Sequence, residues 1–154
     1  MKPILMSPGI YHLGANITNG DLFEGLWPIP DGVSLNSYLV KGEKTALIDL
    51  MRDWNDAPLT MEKELKSLNI DFSDIDYLVL NHMEPDHTGW MKGFLERSPG
   101  IQIILTKKAA DLAREFFGVT ENITIVKTGD TLDLGDNKIL HFVEVPNVHW
   151  PETM

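Results

Sequence analysis

The apolar positions fall into two periods that alternate along the chain. IYHLGANI (10–17) reads as a first strand, and a Pro/Gly-rich stretch, LWPIPDG, separates it from a hairpin. The hairpin is VSLNSYLV (33–40), a polar turn KGEK, and TALIDL (45–50). Leu59, Met61, Leu65 and Leu68 then recur mostly three or four apart among charged residues, which predicts a helix over about 59–68. IDYLVLN (75–81) returns to a short apolar strand. GWMKGFLERS is helical in pattern and stops near Pro99, IQIILT (101–106) is a strand, and KKAADLAREFF is an amphipathic helix ended by Gly118. NITIVKT and TLDLGDNKILHFVEVP predict one more strand and a second hairpin. Strands alternating with helices, plus two hairpins, imply an α/β protein with a mixed sheet and flanking helices. No repeat, low-complexity segment or linker interrupts it, so residues 1–154 form a single domain.

Charge narrows the classes of partner. Twenty-three acidic residues against thirteen Lys and Arg give a net charge of −10, which repels phosphate backbones and anionic lipid. Neither nucleic acid nor membrane is expected as a partner. The N-terminal MKPILMSPGI is broken by Pro8 and lacks a signal-peptide core, so a cytoplasmic location is expected. Cysteine is absent, which removes disulfides, thiolate zinc sites and cysteine-ligated iron–sulfur clusters. Any metal must be held by imidazole and carboxylate, a set suited to iron, manganese or zinc.

Such a set stands directly after the 75–81 strand. NHMEPDHTGW (81–90) carries His82, Glu84, Asp86 and His87 within six positions. Pro85 is out of place in a helix interior and pushes Glu84 towards extended backbone, so an extended or curled loop is predicted, with a helix beginning near Thr88 or Gly89. Alternation then sends His82, Glu84 and Asp86 to one side. A single open catalytic metal takes about three protein ligands, so four candidates make two metals plausible. A lone HxE would more often be a solvated loop. Two histidines and two carboxylates at this spacing favour a site, either a metal centre or a metal-free acid/base pair, but no partnered nucleophile or phosphate-binding loop accompanies them. His12 and His141 sit in strand patterns and read as surface or core-edge residues.

HxExDH after an apolar strand resembles the metal motif of the metallo-β-lactamase superfamily, in the variant carried by flavodiiron proteins (A-type flavoproteins). The superfamily's hydrolases usually show HxHxDH; Glu84 replaces the second histidine, and an oxygen ligand there favours iron over zinc. The likeness extends through IYHLGA, GVSLNSYLV and KTALIDL to VHWPETM, which is similar to the family's His-Trp-Pro-Asp-Ser-Met. It implies the N-terminal portion of a metallo-β-lactamase-like αββα sandwich. It also implies His82, Glu84 and His149 on one iron, Asp86 and His87 on the other, and Asp49 bracing the metal loop by hydrogen bonds.

The implied activity is reduction of dioxygen to water or of nitric oxide to nitrous oxide, with electrons from reduced flavin or a rubredoxin-type donor. The family pattern continues past His149 with a bridging aspartate, a final histidine and an FMN-carrying flavodoxin domain, none of which these 154 residues contain. The expectation is therefore a partial domain, inactive alone, with no flavin site. A metal-dependent hydrolase and a non-catalytic fragment or interaction module stay as alternatives. Removing one sheet of the sandwich should bare apolar side chains of the other, with Leu78, Leu80, Ile101, Ile103 and Leu105 as candidates and Val79 opposite. A homodimer or oligomer, or pairing with a separate C-terminal half, is expected to cover them.

Overall fold

A computed structural model describes residues 2–18 and 22–154. Its centre is a mixed sheet of seven strands among the described residues. These are β1 (Ile4–Ser7), β2 (Ile10–Ile17), β5 (Val33–Lys41), β6 (Thr45–Ile48), β7 (Tyr77–Val79), β8 (Gln102–Leu105) and β9 (Ile123–Ile125), in that spatial order. The first four are antiparallel neighbours, and β6, β7, β8 and β9 run parallel. The division follows from the connections: tight turns join β1 to β2 and β5 to β6, and residues 18–32 return the chain antiparallel from β2 to β5, whereas each parallel pair needs a crossover. Those crossovers carry α1 (Ala57–Ser67), α3 (Met91–Arg97) and α4 (Lys107–Phe117). Two small hairpins, β3 (Leu22–Phe23) with β4 (Trp27–Pro28) and β10 (Thr131–Asp133) with β11 (Ile139–His141), lie outside the sheet.

Strand alternation divides the apolar residues between two faces. Leu13, Leu35, Leu39, Leu47, Leu78, Ile103 and Leu105 meet Met61, Leu65, Phe94, Ala109 and Ala113 of the helices in one large core. On the other face Val40, Ala46, Val79 and Ile104 pack with Val126, Leu134 and Phe142, under the β10–β11 hairpin. Local signals fix the helix ends. The Thr106 hydroxyl accepts the Ala109 N–H at the start of α4, and Gly118 ends it at φ 71°, a left-handed conformation that costs glycine little.

The predicted 107–117 helix and the 10–17 strand have these bounds in the structure, and both hairpins stand where the pattern put them. Three expectations are corrected. The apolar side chains expected to be bared are not: Leu78, Leu80, Ile101, Ile103 and Leu105 are all buried beneath the helices, because a crossover helix must cover the face it returns across. Val79, on the opposite face, is buried as well, since the β10–β11 hairpin already forms part of a second layer. The segment read as an extended loop contains a helical turn, α2 (Pro85–Thr88): proline at the first helical position surrenders an N–H that has no intrahelical partner there. Finally, β1 lies in ILMS, where neighbouring Pro3 and Pro8 and the lack of alternation hide a strand that is exposed at every residue.

Candidate metal centre

The candidate residues gather beyond the carboxyl ends of the parallel strands, where open α/β sheets commonly place a site. Asp49 follows β6, Asn81 to His87 follow β7, and residues 142–154 fold back across this edge. Glu84 is extended (φ −60°, ψ 138°), and Pro85 then starts the turn of α2 that carries Asp86 and His87. The backbone of α2 is held from beside β6: Leu50 N–H donates to His87 C=O (3.0 Å) and Arg52 N–H to Asp86 C=O (2.8 Å).

Two donor groups result, and they share His82. In the first, Glu84 Oε2 stands 3.3 Å from His82 Nε2 and 2.5 Å from His149 Nε2, although 65 positions separate Glu84 from His149. The second comprises His82, Asp86 and His87, with Asp86 Oδ2 3.4 Å from His87 Nε2. Within each group one ligand atom per residue lies within 4.8 Å of the others, close enough to hold an ion. The His82 ring centroid is 4.5 Å from that of His87 and 5.0 Å from that of His149. His149 is therefore near the cluster, but it reaches there from a turn after β11 rather than directly off a strand end. Its side chain is the most exposed of the five.

Asp49 lies beneath the cluster. Its left-handed backbone (φ 58°), held by the Ser37 hydroxyl donating to its carbonyl (2.7 Å), turns the buried carboxylate towards the loop. There it accepts the Asn81 N–H (2.8 Å) and the Asn81 amide (3.1 Å), and its Oδ2 faces His87 Nδ1 at 3.5 Å. His12 pairs with Asn36 and His141 is exposed, both away from the cluster.

Burial governs the electrostatics. It pushes the Asp49 carboxyl up to about 7, against the pull of the two Asn81 hydrogen bonds. Burial, followed by the charges of Glu84 and Glu24, raises Asp86 to about 6. The same desolvation lowers His87 to about 4 and brings His82 below its ordinary value. Both imidazoles are thus neutral near pH 7, the form that ligates a metal. Asp86 Oδ1 and His87 Nδ1 are buried with no hydrogen-bond partner among the described residues. A divalent cation among these groups would supply the positive charge that the acids lack, and the all-nitrogen and oxygen donor set suits iron, so the residues fit such an ion.

Trp150, which the sequence suggests packs beside His149 or gates the pocket, stands with its ring 6.4 Å from that of His82. Two contributors were not singled out from the sequence: Asn81 clamps Asp49, and Glu152 is buried against the loop. The only signal for Asn81 was its position between the strand and the first histidine. Glu152 stands in VHWPETM at the aspartate of the similar His-Trp-Pro-Asp-Ser-Met motif, but nothing in the sequence says which backbone group it meets.

Relatives share the sequence and the fold. The family described as ODP family beta lactamase matches residues 33–154. An anaerobic nitric oxide reductase flavorubredoxin of Salmonella typhi is 43% identical over 126 residues, covering 80% of this chain and 25% of that protein. Diflavin flavoprotein A 1 of Synechocystis is 38% identical over 135 residues, covering 87% and 23%. Among solved structures, the rubredoxin oxygen:oxidoreductase of Desulfovibrio gigas superposes with a TM-score of 0.89 at 30% identity, over 99% of this chain and 37% of that one. A flavo di-iron protein mutant of Thermotoga maritima gives 0.85 at 32%, over 99% and 38%. The chain spans about a quarter of the length of the curated relatives it matches. It belongs to the ODP family beta lactamase and corresponds to the N-terminal portion of the metallo-β-lactamase-like domain of flavodiiron proteins.

Proposed function

We propose that these residues supply the ligand loop of a diiron centre in a flavodiiron oxidoreductase that reduces dioxygen to water or nitric oxide to nitrous oxide. His82, Glu84 and His149 would hold one iron, and Asp86 and His87 the other. The observation that carries the reading is the pair of donor groups joined at His82, each containing a carboxylate and neither containing sulfur. That composition also weighs against the hydrolase alternative, because oxygen ligands favour iron over zinc.

When bound, the iron pair supplies open positions for a diatomic gas and electrons to reduce it. The chain's own residues prepare for this. Neutral His87 presents Nε2 on the side of Asp86 while its Nδ1 faces Asp49, an arrangement that orients a ligating imidazole. Glu84 ties His149 to His82. Trp150, partly buried against the core, stands with its ring 6.4 Å from that of His82 at an edge-on angle. The remaining ligands that the resemblance implies, and the FMN, would come from residues outside these 154, such as a separate C-terminal half, while a homodimer or oligomer is the other contact to expect. Exposed Val143, Val145 and Val148, on the same 142–154 segment as His149, support such a contact. A flavin, fed by a rubredoxin-type partner, would deliver the electrons. No helix among the described residues is long and apolar enough to cross a membrane.

The test is anaerobic loading with Fe(II) against Zn(II), followed by metal analysis. Iron should be retained, and His82→Ala, which touches both groups, should abolish retention. Stoichiometric zinc that survives competition by iron and depends on Glu84 would overturn the reading.

A further inference from the structure

Beyond the ligands, Glu152 is buried beside the metal loop. It is 3% exposed and, among the described residues, forms no ion pair with a Lys or Arg, a rare state for a glutamate. Its Oε1 accepts the Met83 N–H (2.9 Å) across 69 positions of sequence, between the two ligands His82 and Glu84. Its Oε2 is buried without a hydrogen-bond partner among the described residues. Two further bonds fix the same stretch: the Thr106 hydroxyl donates to Glu152 C=O (3.2 Å), and Met154 N–H donates to Asn81 C=O (3.0 Å). Residues 149–154 are therefore attached to the metal loop on both sides of His82, at Asn81 and at Met83. His149 itself contributes a bond to Glu84 and a ring contact with His82, and is more than half exposed.

We infer that Glu152 is a positioning residue for the metal centre, acting through His149: its carboxylate registers the 149–154 segment against the 81–84 loop and so places His149 beside Glu84. The inference rests on the reading of the cluster as a metal centre. A carboxylate suits the task because it is a strong acceptor for a buried backbone N–H, and its length spans the gap between the two segments. Losing it leaves the Met83 N–H unpaired in the interior and frees the segment to drift. Groups that support a ligand from behind commonly cost ten- to a hundred-fold in metal affinity when removed.

Titration with Co(II), followed by its visible ligand-field bands, tests this in the full 154-residue chain as a double-mutant cycle. Glu152→Ala should weaken Co(II) binding about ten-fold or more in the otherwise native chain. It should have little further effect in a His149→Ala background. Glu152→Gln keeps an acceptor for Met83 and should restore binding to within a few-fold of the native chain. If Glu152→Ala does not fold, as judged by circular dichroism, Glu152→Asp, one methylene shorter, replaces it with the same expected dependence on His149. Equal losses with and without His149, or no loss at all, would overturn the inference while leaving the metal centre standing. Failure of the unaltered chain to bind Co(II) would remove both.

Discussion

Asp49 offers the sharpest test of how burial sets the chemistry of this loop. The perturbation is Asp49→Asn, which keeps an oxygen to accept the Asn81 N–H but removes the charge. In the metal-free protein the carboxyl is lifted from its ordinary 3.8 to about 7. A group whose folded pKa is raised makes the folded state bind more protons, so its contribution to stability is present at low pH and is lost as pH climbs from about 4 to about 7. At about 1.4 kcal/mol per pH unit the full loss is about 4 kcal/mol. Asp86, raised to about 6, acts in the same direction, whereas His87, lowered to about 4, acts oppositely below its ordinary value. The comparison must therefore be a difference between variant and native chain, in which those groups largely cancel. Urea unfolding of chelator-treated protein should show Asp49→Asn gaining on the native chain by about 4 kcal/mol between pH 4 and pH 8. Saturating iron should shrink that gain, because a cation beside Asp49 stabilises its charge. A difference flat with pH to within about 1 kcal/mol would show that Asp49 ionises in the fold without penalty, and the burial argument would fail.

Phe94→Ala should cost about 3 to 5 kcal/mol, since its fully buried ring meets Phe72 and Trp90 at the heart of the helix layer; the shift in urea midpoint at unchanged slope reads it. Gly118→Ala should lose about 1 kcal/mol of stability, because the residue sits at φ 71° with open space around it, leaving backbone strain as the sole cost. Burial raises the Glu64 carboxyl, whose Oε2 accepts the Gly14 N–H while Oε1 has no hydrogen-bond partner among the described residues, so Glu64→Gln should raise the melting temperature more at pH 8 than at pH 5.

The regular elements were legible because their signals are local. KKAADLAREFF carries its apolar stripe, a threonine cap before it and a glycine after it, so the helix bounds can be read directly. Strand β1 has no such pattern and exists because its backbone pairs with β2, a tertiary cause. The wrong reading of the sheet's bared face had a related origin: Leu78 and Leu80 mark one face of a strand, but which face the helices cover depends on the path of the crossovers. In the cluster, the four loop residues announced themselves by spacing, and His149 followed only from the family likeness. Asn81 and Glu152 stayed hidden because their roles reside in distances to residues far along the chain or in other segments. Pro85 was read as a helix breaker where it is a helix starter, because the same ring that is harmful in an interior is harmless at a first position.

The hook of residues 149–154 also bears on the order in which the molecule assembles. The βαβ crossovers join strands close in sequence and can close early, whereas the bonds from Glu152 to Met83 and from Met154 to Asn81 each close a loop of roughly 70 residues, an entropic cost of about 4 kcal/mol. Those bonds gain little until the loop they dock on already exists, so they belong to the last contacts to form and the first to open. Cleavage by protease under native conditions should therefore begin in the 142–154 segment while the sheet beneath is still closed, and the lifetime of the docked hook, rather than that of the fold, should set how long His149 stays in place.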